Sequence, residues 1–517
     1  MNINELEEKH LSGKFVLKQE FLSGDYSREE TMNRCERYAG WTIPSIFPDD
    51  PLMEYDEMQN DYQSVGAQAV TNLANKIMMA LFQPSRPFFR MNLTQEQRLE
   101  VSATGITEAQ IDVAMAEAER AAMRELDKTN ARIIMFDVIK QLIITGNSLL
   151  YTPLGTDMVA YSLRDFTLQR DLRGNIVKII IRETKAVAAL SDDLAALCIA
   201  EGYSNEDEVS IFTGVQRTGE DKYFVHQELE DMSYCHKKVG VYKKANLPWI
   251  PLAWDLCRGK DYGTGLVELY SGDFHKLSNI SESILDYTTV MTDVKNLVNP
   301  AGMTDVRELT EAPSGAYVHG REEDLYIHQP AVGNVSDFLS HQFDITARRI
   351  GAAFLLNSAV TRDAERVTAV EIRQQAQELE ASLGGVYSRL SNELQLPLAK
   401  RLLKTLNPIF KDVEPVIVTG LESLSRNSEL DNFRAFMQDM IILSDVPDEV
   451  KAWMQFENVI ATLGAGHGVD YKKFLKDEKQ VKAEREAAMQ AQAQQAGMEA
   501  GAVAQAEGQQ GQQNVTN

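Results

Sequence analysis

The chain has 517 residues, of which 44% are hydrophobic, and a formal net charge of −24 at pH 7. A chain of this length and composition can bury a sizeable core, so we expect a globular protein of roughly three or four structural units. The acidic excess excludes a simple adhesive nucleic-acid-binding protein, which would carry a surplus of Lys and Arg to hold phosphate.

The cysteines and the amino terminus predict a protein that folds in the cytoplasm. The four cysteines are scattered without a C-x-x-C pair, so we expect reduced thiols. The first residues, MNINELEEKHLSGKF, are acidic where an export signal would be basic and then apolar. The most apolar stretch, IIMFDVIKQLIITGNSLLY, is interrupted by Asp137 and Lys140, so no membrane insertion is expected.

The predicted elements of residues 1–263 are helices followed by strands. Ser27 and Glu30 have the spacing of a capping box that begins a helix. From about residue 149 the apolar period shortens to that of strands, with a hairpin turn predicted at 173–175. We interpret this part as one α+β unit.

Residues 264–356 have the pattern of two long helices separated by a small irregular module. Residues 264–294 carry apolar side chains at three- and four-residue steps, which predicts one uninterrupted helix. Residues 295–334 combine prolines, glycines and short strand-like runs, and residues 335–356 predict a second helix. Two such helices form an antiparallel pair, so we expect the module to be the tip of a stalk.

Another long helix is predicted after a polar loop at 357–366. Its apolar spacing continues through 367–406, but Gly384, Gly385 and Pro397 interrupt it. Relative to alanine, glycine in a helix costs about 1 kcal/mol and proline about 3 kcal/mol. We therefore predict a helix that is bent or broken near its middle and again near its end.

The remaining segments carry weaker patterns. Residues 407–476 return to strand and then helix, and residues 477–517 form a low-complexity tail rich in Ala, Gln and Gly. The stretch LGAGHG at 463–468 lacks a βαβ frame, so we predict a loop between helices. The stretch RGKDYGTG at 258–265 lacks the spacing of a P-loop, so we predict a strand-to-helix turn.

No catalytic motif or metal site stands out. His226, Cys235 and His236 are the nearest approach to a metal cluster, but their spacing matches no standard zinc arrangement, and we interpret it as coincidental. There is no G-x-S-x-G motif, nucleophile constellation or paired-carboxylate motif. We expect no cofactor, no metal and no enzymatic activity, although a site built from distant residues would leave no local motif.

Five blocks of sequence are more specific than any generic motif. They are RYAGWTIPSIFPDD (37–50), YQSVGAQAVTNLANKIMMALFQPSRPFFRMNL (62–93), YSLRDFTLQRDLRGNIVKII (161–180), GKDYGTGLVELYSGDFHKLS (259–278) and ERVTAVEIRQQAQELEASLGGVYSRLSNELQLPLAKRLL (365–403). In this order, from about residue 35 to 475, the chain resembles the head-to-tail connector, or portal, proteins of short-tailed bacteriophages.

The resemblance implies a mainly helical α+β portal fold that assembles as a ring, usually of twelve copies. Its parts would be a wing (1–263), a stem of two helices (264–294 and 335–356), a clip between them (295–334), a channel loop (357–366), a kinked helix joining the channel wall to the wing (367–406), a wing strand with crown helices (407–476) and the tail (477–517).

The resemblance also implies a structural function at one vertex of the capsid, where double-stranded DNA enters during packaging and leaves during ejection. The implied partners are the terminase large subunit, tail adaptor and tail-tube proteins, major capsid and scaffold proteins, and internal core proteins. The ring would be assembled in the host cytoplasm. Two alternatives remain: an acidic helical adaptor that binds other proteins as a monomer, and a DNA-packaging enzyme, against which the lack of a Walker loop argues.

The candidate site residues follow from these assignments. The channel candidates are Arg362, Asp363, Glu365 and Arg366. The two arginines would make sparse phosphate contacts in a wall that otherwise repels DNA, or salt bridges between subunits with the two carboxylates. The clip candidates for terminase and tail contact are Arg307, Glu308, Arg321, Glu322, Glu323 and Asp324. The helix-kink residues are Gly384, Gly385 and Pro397.

Overall fold

The structure is a computed structural model that divides into two units, residues 1–420 and residues 421–517. It describes residues 16–48, 61–82, 87–93, 108–153, 156–219, 221–229, 240–292, 295–328, 335–356, 382–406 and 414–417 of the first unit, and 434–443 and 456–467 of the second.

Helices dominate the described chain, which confirms the predicted mainly helical α+β class. In the first unit they are α1 Leu17–Ser27, α2 Glu29–Gly40, α3 Val65–Leu81, α4 Glu108–Lys128, α5 Ala131–Thr145, α6 Asp192–Ala200, α7 Leu266–Leu269, α8 Ser271–Thr292, α9 Val306–Glu311, α10 Val335–Ala353, α11 Gly385–Leu390 and α12 Leu396–Leu406. In the second unit, residues 434–443 are helical and α13 is Phe456–His467. No described helix is both long and apolar enough to cross a membrane.

The described strands form antiparallel sheets. They are β1 Phe89–Asn92, β2 Asn147–Tyr151, β3 Val159–Tyr161, β4 Phe166–Arg170, β5 Ile176–Ala186, β6 Glu208–Arg217, β7 Lys222–Leu229, β8 Gly240–Lys243, β9 Trp249–Ala253, β10 Lys295–Val298, β11 Leu325–His328 and β12 Glu414–Ile417. Strands β4 to β8 form a five-stranded meander, and β2 lies between β3 and β9. Two further pairs join β10 to β11 and β1 to β12.

The main core is built around α3 and α5, which pack against each other. On α3 the buried side chains recur at helical spacing, at Ala69, Val70, Leu73 and Ile77. Helix α5 is buried along much of its length and ends at Gly146, whose φ of +77° provides the left-handed residue that closes the helix. The chain then enters β2 directly, so one apolar segment supplies both a core helix and a core strand.

The predicted hairpin turn is confirmed. Strands β4 and β5 pair antiparallel, and Gly174 in the turn between them has a φ of +82°. The carboxylate of Asp171 accepts hydrogen bonds from the backbone N–H groups of Arg173 and Asn175, both at 2.9 Å. Aspartate is common in turns because its carboxylate can accept hydrogen bonds from the backbone N–H groups of the same turn.

The capping box predicted at Ser27 and Glu30 is wrong. Ser27 is the last residue of α1, and α2 begins after Arg28 with no side-chain cap. The reason is tertiary: the buried guanidinium of Arg28 donates to the carbonyl oxygen of Phe166 at 2.6 Å and to the carboxylate of Asp25 at 2.8 Å. These bonds fix the chain direction between the two helices, so the local spacing does not decide the boundary.

Two other predictions also fail. The helix predicted over 264–294 is interrupted at Tyr270, between α7 and α8, where the Tyr270 carbonyl accepts the N–H groups of Asp273 and Phe274 and so opens the second helix. The loop predicted at 463–468 is helical as far as His467. Gly464 and Gly466, the glycines of that stretch that the structure describes, have no positive φ, so neither requires a turn.

Candidate functional site: a helical stem, its tip and its anchor

Helices α8 and α10 pack side by side and run antiparallel. The carboxylate of Asp273 accepts from the Arg349 guanidinium at 2.9 Å, and three residues further along α8 the Lys276 ammonium donates to Gln342 at 3.0 Å. The residue number on α10 falls as the residue number on α8 rises, which shows that the two helices run in opposite directions. We call this pair the stem.

The stem is packed only at its base. Phe274 and Leu277 of α8 and Ile350 and Phe354 near the end of α10 are fully buried, and the rings of Phe274 and Phe354 meet edge to face at 5.7 Å. None of the described residues from 279 to 290 or from 337 to 345 is buried.

Apolar side chains lie on the uncovered half of the stem. Leu285 is 53% exposed, Val290 is 56% exposed and Phe338 is 61% exposed. A single copy of the chain therefore leaves a contiguous length of the helical pair without an apolar partner, an arrangement that soluble proteins cover with another surface.

The far end of the stem carries a small folded module, residues 295–328, which we call the tip. Strands β10 and β11 pair antiparallel, with Leu297 opposite Tyr326. The buried carboxylate of Asp324 accepts from the Met303 N–H at 2.9 Å and from the Thr304 hydroxyl at 3.0 Å. Gly302 touches this carboxylate so closely that a Cβ there would lie 2.4 Å from an Asp324 oxygen. The tip thus holds its shape with polar bonds.

The clip candidates divide into two kinds. Asp324 is 7% exposed and is engaged inside the tip, so its carboxylate shapes the module. The remaining five are exposed and present charges of both signs to solvent. They are Arg307, Glu308, Arg321, Glu322 and Glu323.

Helix α3 holds the inner end of the stem. The ammonium group of Lys76 donates to the carbonyl oxygen of Leu355 at 2.7 Å, and the amide of Asn72 donates to the Leu355 and Phe354 carbonyls at 3.0 and 3.3 Å. These carbonyls lie at the end of a helix, where the two side chains of α3 act as a cap supplied by another helix. Leu355 has a φ of +56°, a strained conformation for a leucine.

The same helix α3 is held at its own carboxyl end by the kinked helix. The buried amide of Gln395 donates to the Leu81 carbonyl at 2.6 Å, and the Tyr387 hydroxyl donates to the Ala80 carbonyl at 3.4 Å. Helix α3 therefore contacts the chain on both sides of residues 357–381: at Leu355 before that segment and at Tyr387 and Gln395 after it.

The kink residues have three different local roles. Gly384 has a φ of +43° and breaks the helix, whereas Gly385 has a negative φ and begins α11. Residues Ser391–Gln395 form a π-helical turn that continues directly into α12, and Pro397, which has no N–H to donate, is the second residue of α12. The backbone thus deviates from a regular α-helix at two places, at Gly384 and at the π turn.

Charge is partly buried in the π turn. Burial raises the pKa of Glu393, although the guanidinium groups of Arg389, 3.9 Å away, and Arg170 oppose that rise. The carboxylate of Glu393 therefore links the kinked helix electrostatically to β4, which carries Arg170.

Several predicted residues lie elsewhere. Arg362, Asp363, Glu365 and Arg366 fall outside the described residues, as do Cys235 and His236. His226 lies on β7, buried beside Phe224 and the Glu228 carboxylate. In the part of the chain that the structure describes, no group of three or more His, Cys, Asp or Glu side chains could hold a metal.

The RGKDYGTG stretch is a strand-to-helix turn, as predicted. A Cβ at Gly265 would lie 2.6 Å from the Ile144 carbonyl oxygen, so the glycine permits close packing of backbone on backbone. The Asn147 side chain pairs with the backbone of Gly263 in both directions, at 2.7 and 2.9 Å. These glycines serve packing between chain segments.

The sequence analysis did not predict that Asn72 and Lys76 of α3 bind the carbonyls at the inner end of the stem. One signal was present: Lys76 interrupts the apolar sequence VTNLANKIMMAL, at a position that helical spacing places beside Leu73 and Ile77. A lysine on a buried stripe needs a partner, because an unpaired buried ammonium group is costly.

The comparisons with known proteins identify the family of this chain. A family model described as bacteriophage head to tail connecting protein matches residues 20–474. The chain is 34% identical over 509 residues to the portal protein of Escherichia phage T7, across 95% of this chain and 92% of that protein. It is 37% identical over 427 residues to the portal protein of Enterobacteria phage T3, across 79% of this chain and 78% of that protein.

Among solved structures, a chain from the virion of a native gene transfer agent particle aligns over 74% of this chain and 86% of that chain. Its sequence identity is 12% and its TM-score is 0.36. The family predicted from the five sequence blocks is confirmed by the family model and by the two relatives. The chain belongs to the family of bacteriophage head-to-tail connecting proteins.

Proposed function

We propose that this chain is a viral portal protein, whose copies form a ring at the head-tail junction through which the genome is packaged and later ejected. The observation that carries the proposal is the stem: two antiparallel helices hold a folded tip away from the core, and their outer half exposes apolar side chains in a single copy. In a ring, each stem would be covered by the stems of its two neighbours.

The tip is proposed as the clip, the surface that meets the terminase large subunit during filling and the tail adaptor and tail-tube proteins afterwards. Its exposed charges are of both signs, and its fold is maintained by internal bonds around Asp324. A surface of this kind can exchange partners without refolding, because the bonds around the buried Asp324 carboxylate do not involve the exposed side chains of the clip candidates.

The channel is proposed to be lined by residues 357–366, with Arg362 and Arg366 making sparse phosphate contacts or pairing with Asp363 and Glu365. Support comes from the described chain before and after residues 357–381, because α3 binds Leu355 before this stretch and receives Gln395 after it. A loop within this stretch would face DNA, while the chain before and after it stays tied to one core helix of the same subunit.

The domain assignments are part of the same proposal. Residues 1–263 would form the wing, 367–406 the kinked helix, 407–476 a wing strand and crown helices, and 477–517 a tail. The ring would contain twelve copies, be assembled in the host cytoplasm, and contact major capsid, scaffold and internal core proteins.

We propose a structural, non-enzymatic role. A monomeric acidic adaptor is the main alternative, and the uncovered stem argues against it. A packaging enzyme is the other alternative, and it would need a nucleotide site that the RGKDYGTG turn does not provide, since its glycines pack on the Ile144 carbonyl and the Asn147 side chain.

The experiment that tests the proposal is assembly of stem variants, viewed by negative-stain electron microscopy. The wild-type chain should form rings with a central opening, and Leu285→Asp combined with Phe338→Asp should abolish them while circular dichroism stays unchanged. Val113→Asp, a matched change at a 59% exposed residue of α4, is the control. A wild-type chain that forms no rings, or a double variant that assembles normally, would contradict the proposal. ATP hydrolysis by the purified chain with DNA would contradict the non-enzymatic part.

A further inference from the structure

A cleft of about 1050 Å³ opens at one end of the five-stranded sheet, beside the β4–β5 and β6–β7 turns. Four cationic side chains and one carboxylate line it, in a chain whose net charge is −24. They are Arg170, Arg173, Arg217 and Lys244, with Asp171. Neither the stem, nor the tip, nor the proposed channel uses this surface.

One cation in the cleft is already neutralised. The Asp171 carboxylate accepts from the Arg217 guanidinium at 3.0 Å and from two N–H groups of its own turn. The Arg217 hydrogen bond leads the interactions that hold the pKa of Asp171 well below its usual range. Asp171 and Arg217 therefore form an internal pair that shapes the wall of the cleft, and the Asp171 carboxylate is not available to the other three cations.

The other cations bond to neutral groups. The Lys244 ammonium donates to the Asn175 side-chain oxygen at 2.9 Å, and Arg170 donates to the Gly174 carbonyl at 2.9 Å. The exposed side chain of Arg173 has no acceptor among the described residues.

Arg170 contributes less uncompensated positive charge to the cleft than Arg173 and Lys244 do. Its Nη2 atom is buried without a partner among the described residues, but the carboxylates of Glu393 and Asp261 offset its charge. Arg173 and Lys244 thus carry most of the uncompensated positive charge of the cleft, and both are exposed.

The shape of the cleft favours a peptide over a nucleic acid duplex. Its volume is close to that of sites for small molecules and short segments, whereas a duplex is too wide to enter a concavity of this size. Leu172, 75% exposed, lies at the same place and offers an apolar contact beside the cations. An arginine fork also matches the planar geometry of a carboxylate.

We propose that this cleft binds an acidic peptide segment of a partner protein, with carboxylates on Arg173 and Lys244 and an apolar side chain against Leu172. Its affinity should fall with salt, since the contacts involve exposed charges.

The test uses the full-length chain and a fluorescein-labelled hexapeptide, Glu-Asp-Leu-Glu-Asp-Leu, in fluorescence anisotropy. The wild-type chain should bind this peptide and not the matched Gln-Asn-Leu-Gln-Asn-Leu peptide. Combining Arg173→Gln with Lys244→Gln should weaken binding by about tenfold or more, because two charge-assisted contacts are lost. Combining Lys128→Gln with Lys185→Gln removes two charges from exposed residues elsewhere and should leave binding unchanged.

Three outcomes would overturn the proposal. The first is no detectable binding of the acidic peptide to the wild-type chain. The second is equal loss of binding in the two double variants, which would indicate a general charge effect. The third is a labelled DNA duplex that binds more tightly than the peptide and depends on Arg173 and Lys244, which would assign the cleft to nucleic acid instead.

Discussion

The ammonium group of Lys76 lies 2.7 Å from the carbonyl oxygen of Leu355, 279 residues further along the chain. Lys76 is only 7% exposed, and Leu355 has the positive φ that a leucine rarely adopts. The bond connects α3 to the inner end of the stem, while Gln395 connects α3 to the kinked helix. Helix α3 thus fixes the position of the stem relative to the kinked helix. The proposed function assigns these two elements separate roles.

Replacing Lys76 by Met should destabilise this connection. The aliphatic part of the side chain is kept and the Leu355 carbonyl still accepts from the Asn72 amide, but the hydrogen bond from the charged ammonium group is lost, which costs about 1.5–3 kcal/mol. We expect the free energy of unfolding to fall by that amount and amide exchange to accelerate in the last turn of α10. Lys128→Met, at a side chain that is 67% exposed, is the control and should change stability by less than about 0.5 kcal/mol. Equal stability of the two variants would contradict the role of Lys76.

The two adjacent glycines of the kink should respond differently to alanine. Gly384→Ala places a Cβ on a residue with a φ of +43°, which costs about 1–3 kcal/mol. Gly385 has a negative φ and open space around it, so Gly385→Ala should be neutral or stabilising by up to about 1 kcal/mol. Thermal unfolding of the two single variants provides the comparison. A Gly384→Ala variant that melts as high as Gly385→Ala would show that the break does not need a glycine.

The attachment of α1 to the sheet should depend on pH through Glu228. Burial alone would raise the pKa of Glu228, but the His226 imidazole 3.6 Å away and the hydrogen bonds from the Leu17 and Val16 N–H groups outweigh it and hold the pKa below its ordinary value of 4.5. Because the folded-state pKa is the lower one, the stabilisation is present above about pH 4.5 and is lost as the pH falls through the folded-state pKa.

Glu228→Gln should therefore loosen α1 at neutral pH and have little effect in acid. We expect faster amide exchange across Leu17–Ser27 in the variant at pH 7, and a difference from wild type that shrinks below about pH 4.5. Glu201→Gln, at an exposed residue, is the matched control and should leave α1 unchanged. A difference of constant size across this pH range would mean that the charge of Glu228 is not what holds α1.

The tip should lose its shape when Asp324 is truncated. Asp324→Ala removes the acceptor for the Met303 N–H and the Thr304 hydroxyl, leaving the loop after β10 without its polar centre. Limited proteolysis should then cleave between residues 299 and 324 while the rest of the chain resists. Glu323→Ala changes the exposed neighbour and should resist like wild type. Resistance of both variants would show that the tip is held by other contacts.

Much of the fold is local and could be predicted. The hairpin at Gly174 follows from turn chemistry within five residues, and the stem helices follow from apolar spacing over about six turns. The five sequence blocks predicted the family. By contrast, the strand β1 was missed, because Phe89 pairs with Ile417 at the other end of the unit and no local pattern encodes that partner.

The candidate site was less predictable, because its key bonds join distant segments. The partner of Lys76 is a backbone carbonyl, which any residue type could supply, so the sequence at 355 contains no signal for it. The π turn at Ser391–Gln395 was predicted only as a bend near Pro397, because the hydrogen bond from the Gln395 amide to the Leu81 carbonyl joins segments that are far apart in the chain. Arg28 overrode the predicted cap at Ser27 in the same way, by bonding to Phe166.

The most direct test of the central claim is the mass of the assembled wild-type protein, measured by native mass spectrometry. If the uncovered stem is the interface of a portal ring, the purified 58.0 kDa chain should appear as a closed oligomer of about twelve copies, and the Leu285→Asp, Phe338→Asp variant should appear as a folded monomer. A wild-type chain that remains a stable monomer at high concentration, with its stem apolar residues still exposed, would contradict the account.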